Sequence, residues 1–212
     1  MDPLIIAPDV LIAFTAVALL LCLSPGPDNL FVLAQSALYG RRAGLRITLG
    51  LCTGLVVHTA AVALGVAALI KSFPLAFTAL KYAGAAYLLY LAWQTLRAVP
   101  VTLSANQAGR PDGWRLYRRG IIMNVSNPKV SLFFLALLPQ FADPARGALW
   151  LQFVLLGMVF MLSTLLVFGL LAVLAGSIGE WLGRSAVAQR ILHVLAGLVL
   201  TGLALRLLVT QI

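Results

Sequence analysis

The stretch SPGPDNLF, residues 24–31, interrupts a long apolar segment near the beginning of the chain, and SNPKVSLF, residues 126–133, interrupts another in its second half. A proline inside a helix removes one backbone hydrogen bond and clashes with the preceding turn. In hydrocarbon, each unpaired backbone polar group costs several kcal/mol, so a break persists only where protein, water or ligand satisfies the freed groups. We call these stretches the first break and the second break, and we expect them to carry the function.

The composition is that of a membrane protein. Of the 212 residues, 62% are hydrophobic and 10% are charged, and the mean hydropathy is +1.02. A soluble domain has roughly a quarter of its residues charged, whereas a membrane helix needs about 20 apolar residues. An all-α membrane protein with six transmembrane helices is predicted, the first and fourth being broken at Pro27 and Pro128. The six helices are predicted at residues 10–39, 46–70, 74–97, 117–139, 147–176 and 190–210.

The basic residues predict how the chain crosses the membrane. In a soluble protein the net charge of +9 would suggest nucleic acid, but no basic patch here interleaves with aromatic residues, so nucleic-acid binding is not expected. Short cytoplasmic loops carry an excess of Lys and Arg. Because the loops 40–46, 98–116 and 177–190 are the basic ones, they are predicted to be cytoplasmic and both termini to lie outside.

The two halves of the chain resemble each other. The two proline breaks occupy matching positions, and Gly84 in the third predicted helix has a counterpart at Gly197 in the sixth. A unit of three helices crosses the membrane in the opposite sense the second time, which is the inverted-repeat plan of many secondary transporters. Residues 1–97 are therefore predicted to form a first three-helix repeat, 98–116 a cytoplasmic linker, and 117–212 a second, inverted repeat.

The second part of each broken helix begins at a proline. Pro27 and Pro128 suit the first position of a helix, where no N–H is needed. Asn127 is a good N-cap residue and Gly26 a weaker one. Free N–H groups at such a start attract carboxylates, so two starts that face each other would form a polar chamber for a free amino acid. Asp28 is well placed to be the partner of the amino acid's ammonium group.

Asp28 and Lys129 follow the two prolines near the middle of the membrane, where an ionisable group costs at least about 2.5–3.5 kcal/mol. They either contact the substrate or pair with each other and lock the halves together, and a pair that opens on binding would do both. Asn124 and Asn127 share a helix face, from which they line the chamber or satisfy the broken backbone. The predicted substrate-binding residues are Gly26, Pro27, Asp28, Asn29, Asn124, Asn127, Pro128 and Lys129.

Two residues are candidates for proton coupling. A carboxyl group that alternates between a buried environment and a nearby cation can load and release a proton, which makes Asp28 the first candidate. His58 is the second, and it lies at four-residue spacings from Gly50 and Gly54. That spacing of glycines is typical of close helix packing, so His58 is either a hydrogen-bonded packing residue or a proton relay.

Several motifs together indicate one family. They are SPGPDN at 24–29, GRRAG at 40–44, GAAYLLYL at 84–91, NVSNPK at 124–129, LALLPQF at 135–141 and GLALRLL at 202–208. With these motifs the chain resembles the lysine exporter and homoserine/threonine exporter (LysE/RhtB) family over nearly its whole length. The resemblance implies six helices in the bacterial inner membrane, efflux of amino acids or close derivatives, and energisation by the proton motive force. PGPDN at 25–29 looks more like the neutral amino-acid branch than the basic one.

Other functions are compatible with parts of the sequence. Metal-ion efflux needs converging Cys, His or carboxylate ligands, and the inner helices offer only Asp28, His58 and scattered cysteines. A transmembrane thiol relay, which is an enzyme, needs Cys22 and Cys52 to approach within about 7 Å between Cα atoms. A purely structural membrane subunit would not need charges at mid-membrane. We therefore expect a transporter without cofactor, bound metal or catalytic residue, whose partners are an amino acid, protons and the lipid bilayer; a homodimer is compatible with this expectation.

Overall fold

The computed structural model describes residues 5–24, 26–66, 74–97, 112–184 and 186–209, and these residues are almost entirely helical, with no β-strand among them. In chain order the helices are α1 (Pro8–Leu23), α2 (Pro27–Tyr39), α3 (Arg41–Ala61), α4 (Pro74–Leu96), α5 (Gly113–Val125), α6 (Pro128–Leu132), α7 (Leu149–Arg184) and α8 (Ala186–Val209). α3 continues as a π-type segment, Val62–Val66. α6 continues as a π-type segment, Phe133–Leu137, and a 3₁₀ turn, Leu138–Phe141.

Both predicted breaks divide a helix in two. α1 and α2 meet at an angle of 60°, and α5 and α6 with its continuation meet at 48°. Pro27 and Pro128 are the first residues of the helices that follow, because their missing N–H is not needed there. Pro25 lies outside the described residues.

The helices make this a multi-pass membrane protein. Among the described residues, Arg41–Gly65 and Leu149–Ala175 are long and apolar enough to cross a membrane, and each bent pair would add one span. α7 exposes Leu162, Leu166 and Leu170, each more than half accessible, along one face, as expected of a helix whose solvent on that side is lipid. α4 and α8 have 23 and 24 residues, above the length of about 20 that a span needs. Six spans require both helices to cross the membrane as well, and this stays a prediction.

The connections are shorter than predicted. Gly40 alone joins α2 to α3, with φ at 84°, a conformation that a residue without a Cβ adopts at little cost. The loop expected at 40–46 is therefore already helical from Arg41. The loop expected at 177–190 is also mostly helical, since α7 extends to Arg184 and α8 begins at Ala186. Most of the predicted linker 98–116 lies outside the described residues, and α5 begins at Gly113.

Glycines allow α3 and α5 to cross closely. A Cβ added to Gly120 would overlap the Ile47 carbonyl oxygen and lie 3.0 Å from the Cα of Gly50. One turn further along α3, a Cβ on Gly54 would lie 2.7 Å from the side chain of Asn124. The Gly50–Gly54 face predicted to pack closely thus meets the part of α5 that leads into the second break.

The other contacts place the breaks at the centre of the bundle. α7 packs against α1, α2 and α3, while α4 packs against α8. A buried cluster of phenylalanines joins α1, α7 and the continuation of α6, with ring centroids 5.0–6.1 Å apart. This phenylalanine cluster consists of Phe14, Phe133, Phe134, Phe141 and Phe160. It fills the interior beside the second break with tightly packed rings.

Replacing Gly120 with alanine is expected to lower the free energy of unfolding by about 1–3 kcal/mol, the usual cost of forcing atoms into a packed interface. Gly169→Ala is the control, because nothing lies within 4 Å of an added Cβ there. In a helix, alanine is favoured over glycine by about 0.5–1 kcal/mol, so the control should be neutral or stabilising. Thermal unfolding in detergent measures both variants, and equal midpoints would show that α3 and α5 do not cross at Gly120.

Candidate functional site

A small cavity lies where the two breaks meet. Its volume is about 30 Å³, room for one or two water molecules. The predicted site residues in its wall, from the two breaks and the end of α5, are Gly26, Asp28, Asn29, Asn124, Asn127 and Lys129. Pro27 and Pro128, also predicted to bind substrate, are exposed and do not line it. The prolines therefore create the breaks, while their neighbours form the cavity.

Each proline leaves one carbonyl without its usual partner. In a continuous helix the Leu21 carbonyl would accept from residue 25 and the Asn124 carbonyl from residue 128, but both of those residues are prolines, which have no N–H. The Lys129 ammonium group donates to the Leu21 oxygen at 3.0 Å. The His58 Nε2 lies 3.1 Å from the Asn124 oxygen, and because a carbonyl only accepts, Nε2 is the donor in this bond.

Side chains from the second break also bond to the first break. The Lys129 ammonium makes a second bond, 3.0 Å long, to the Ser24 oxygen at the end of α1, where the helix dipole favours a cation. The Asn127 amide, also from the second break, donates to Oδ2 of Asp28 at 2.7 Å. Within the first break, the Asn29 amide donates to the Cys22 oxygen at 2.7 Å. The breaks thus hold each other in place.

The two helix starts differ in how open they are. Oδ1 of Asn127 accepts from the Lys129 N–H at 3.0 Å, so Asn127 is the N-cap of α6, as predicted. That amide is therefore already paired and not open to a carboxylate. The N-cap of α2 is Gly26, which has no side chain to cap the helix. The start of α6 is therefore closed by its own cap, against the expectation of two open starts, and whether the uncapped start of α2 receives a carboxylate stays a prediction.

Two residues that line the cavity each carry a buried acceptor without a hydrogen-bond partner. These acceptors are Oδ1 of Asp28, whose residue is 7% exposed, and Oδ1 of Asn124, whose residue is 3% exposed. An unpaired buried acceptor costs about 1–3 kcal/mol, and more when it is charged. Gly54 leaves the space that the Asn124 side chain occupies. The cavity therefore offers acceptors that a ligand with several N–H donors would satisfy.

Asp28 and Lys129 do not lock the halves together as a direct ion pair. Among the described residues, the ion pair within 4.0 Å joins Arg146 to Asp143, at 3.7 Å on the surface. Asp28 is instead held by Asn127, and Lys129 by the backbone of α1. Both groups are therefore fixed by bonds that leave one carboxylate oxygen and the ammonium group next to the cavity.

Sequence reasoning missed the wall that α7 provides. Phe160, Thr164 and Phe168 line the cavity from one face of this unbroken helix, because residues four apart lie above one another. Oγ1 of Thr164 lies 3.5 Å from the sulfur of Cys22, which lines the cavity from α1. The available signal was this spacing of two aromatic residues around a threonine in a mostly apolar helix.

The alternative chemistries find little support. Among the described residues, no group of three or more His, Cys, Asp or Glu side chains is arranged to hold a metal ion. Cys22 and Cys52 are both free thiols. Cys22 contacts Thr164, whereas the Cys52 sulfur lies 3.9 Å from the Met161 carbonyl oxygen. The described residues therefore show neither a metal-binding cluster nor a disulfide between Cys22 and Cys52.

Comparison with known proteins gives one consistent result. A family model described as LysE type translocator matches residues 19–211. An uncharacterized membrane protein of Pseudomonas aeruginosa is 38% identical over 76% of this chain and 77% of its own length. The homoserine/homoserine lactone efflux protein of Salmonella typhimurium is 35% identical over 80% of this chain and 82% of its own. No solved structure matches the chain.

Asn127→Ala is expected to lower the free energy of unfolding by about 2 kcal/mol or more, because it removes an N-cap and leaves a second oxygen of Asp28 unpaired. Asn127→Ser keeps a capping oxygen but not the amide donor, so it should recover only part of this loss. Ser126→Ala is the control, since the Ser126 hydroxyl is exposed and bonds within its own helix. Thermal unfolding in detergent gives the comparison; a control that loses as much as Asn127→Ala would contradict the bonding between the breaks.

Proposed function

The chain belongs to the LysE type translocator family, and on this premise we propose that it exports small neutral amino acids, or close derivatives such as homoserine, across the bacterial inner membrane. The family and the efflux protein of Salmonella typhimurium support amino-acid efflux. The proposal of a neutral amino acid rests on the pair of unpartnered acceptors, on Asp28 and Asn124, beside the Lys129 ammonium group. The protein is a transporter, not an enzyme.

The substrate's ammonium group binds Asp28 and Asn124. An ammonium group has three N–H donors and carries a positive charge. Asp28 and Asn124 line one cavity, and Oδ1 of each is buried without a donor, so an ammonium group that reaches both oxygens would satisfy them. Both bonds would be charge-assisted because the donor is ionised, and Asp28 contributes most because its carboxylate also carries the opposite charge.

The substrate's carboxylate binds Lys129 and the open start of α2. The Lys129 ammonium now donates to two α1 carbonyls, and its long side chain can turn from them to a carboxylate. Gly26 has no side chain between the cavity and the first N–H groups of α2, where the helix dipole favours an anion. Asp28 and Lys129 are the charged residues of the cavity wall, so a zwitterion with a neutral side chain balances them.

Binding requires the cavity to open. A volume of about 30 Å³ does not hold an amino acid, so the substrate enters only when the walls separate. Phe160 belongs to the wall and to the phenylalanine cluster, so the cluster closes the cavity on that side. Transport then follows from alternating access, in which each side of the cavity opens in turn while the other stays closed.

The packing of the helices supports an inverted repeat. A repeat that relates residues 1–97 to 117–212 exchanges α3 with α7, α4 with α8, and the broken helix α1–α2 with the broken helix α5–α6. α3 packs on α5 and α7 packs on α1 and α2, while α4 packs on α8. This exchange of partners is what a twofold relation between two three-helix halves would produce. Six spans follow, with the arginines around 41–46 and 115–119 on the cytoplasmic side and both termini outside.

Protons drive the export through Asp28. A carboxylate that alternates between a substrate ammonium and a proton exchanges one for the other, which couples efflux to proton entry. His58 is the second candidate for this coupling, since it connects to the site through the Asn124 carbonyl. In the present conformation its bond to that carbonyl supports the second break.

Asp28→Asn is expected to reduce the efflux rate at least about tenfold, because a charge-assisted bond to the substrate is worth about 1.5–3 kcal/mol. The measurement is efflux of labelled homoserine or threonine from proteoliposomes, with and without a proton gradient. The gradient points into the liposome, so protons move in the opposite direction to the substrate. In the wild type the gradient speeds efflux. In Asp28→Asn the remaining efflux no longer responds to it.

Asp143→Asn is the matched control, since Asp143 is exposed and pairs with Arg146 outside the cavity, and it should retain both rate and response. An Asp28→Asn protein that exports as fast as the wild type would remove Asp28 from the binding site. If efflux by that variant is slow but still responds to the proton gradient as in the wild type, Asp28 is not the coupling residue, although it can still bind substrate.

A further inference from the structure

The cavity wall supplied by α7 contains a single hydroxyl group. Phe160, Thr164 and Phe168 project from one face of the helix into the cavity. The two breaks provide the groups that fit a zwitterion, so the side chain of a bound amino acid is left to face α7 and its neighbours Leu51 and Val130. Apart from Thr164 and Cys22, this part of the wall is hydrocarbon.

The hydroxyl of Thr164 is oriented to accept a hydrogen bond. Its one proton is used, because Oγ1 donates to the Phe160 carbonyl oxygen at 2.9 Å. The oxygen keeps its lone pairs, and the neighbour at 3.5 Å is the sulfur of Cys22. A thiol is a weak donor, so a substrate hydroxyl would displace it. Thr164 is almost fully buried, at 3% exposed. Its oxygen must therefore find a hydrogen-bond donor in the protein or the substrate, because bulk water does not reach it.

We propose that Thr164 is a specificity-determining residue that favours substrates whose side chain carries a hydroxyl group over apolar side chains of equal size. The proposal rests on the function proposed above, because it needs an amino acid in this cavity. The Phe160 and Phe168 rings on either side of Thr164 limit the length of side chain that reaches the hydroxyl. The hydroxyl-bearing side chain donates to Oγ1 of Thr164, and Cys22 packs behind it.

Isosteric amino acids test this assignment. Threonine and valine have the same shape, as do homoserine and norvaline, and each pair differs in one hydroxyl group. Efflux of each labelled amino acid from proteoliposomes gives a hydroxyl-to-apolar rate ratio for the wild type. Thr164→Val, which replaces the hydroxyl with a methyl group, is expected to lower both ratios about three- to tenfold, the size of one neutral hydrogen bond. Thr164→Ser keeps the hydroxyl and should keep the ratio.

Ser163→Ala is the matched control. Ser163 is the neighbour of Thr164, is buried, and bonds to the carbonyl four residues earlier in the same way, but it does not line the cavity. Its removal should leave both ratios unchanged. If Thr164→Val does not fold, Thr164→Ala also lacks the hydroxyl, occupies less space, and must show the same fall.

The outcomes separate this inference from the proposed function. A wild type that exports none of the four amino acids overturns the proposed function, and the inference falls with it. A wild type that exports them, with ratios unchanged in Thr164→Val or Thr164→Ala, overturns the role of Thr164 and leaves the proposed function standing. Ratios that fall equally in Ser163→Ala show that a change in α7, not the cavity hydroxyl, is responsible, and this too overturns it.

Discussion

A broken helix in the middle of a membrane must find partners for its backbone, since no water is available in the hydrocarbon to supply them. In this protein the two breaks are the main source of those partners. Lys129, from the second break, bonds to the Leu21 and Ser24 carbonyls of the first, and Asn127 bonds to Asp28. This exchange explains why two ionisable residues lie in the interior, why the halves meet where they do, and why a polar cavity exists at that point.

The bonds between the breaks leave two buried acceptors unpaired and Lys129 without a counter-ion. One oxygen of Asp28 and one of Asn124 are buried without a donor, while Lys129 is held by neutral carbonyls rather than by a counter-ion. In the proposed function, a ligand with an ammonium group at one end and a carboxylate at the other would supply the missing donors and a counter-charge for Lys129. The proposed alternating access requires the cavity to open for its substrate, so that substrate binding favours a conformation other than the present one.

The sequence predicted the breaks, the helix starts at Pro27 and Pro128, the N-cap at Asn127 and the close packing of Gly50 and Gly54, since each follows from local chemistry. It did not predict the partners of Lys129, because whether a charge bonds to a carboxylate or to a carbonyl depends on how two distant segments meet. For the same reason, the sequence did not show that only the start of α6 would be closed by its own cap. The wall on α7 was missed because Thr164 lies in an unbroken apolar helix, where orientation toward lipid or toward the interior depends on tertiary packing. The loops at 40–46 and 177–190 were predicted too long, because a polar or charged sequence does not prevent a helix from continuing past the membrane surface.

The distance between a bound amino acid and Asp28 tests the central claim most directly. Solid-state NMR on the protein in liposomes, with ¹³C-labelled aspartate in the chain and ¹⁵N-labelled homoserine as ligand, measures the separation of the ammonium nitrogen from the Asp28 carboxyl carbon, with Asp28→Asn assigning the signal. The account predicts about 4 Å or less, as a charge-assisted hydrogen bond requires. Bound homoserine whose nitrogen shows no coupling to the Asp28 carboxyl would contradict it.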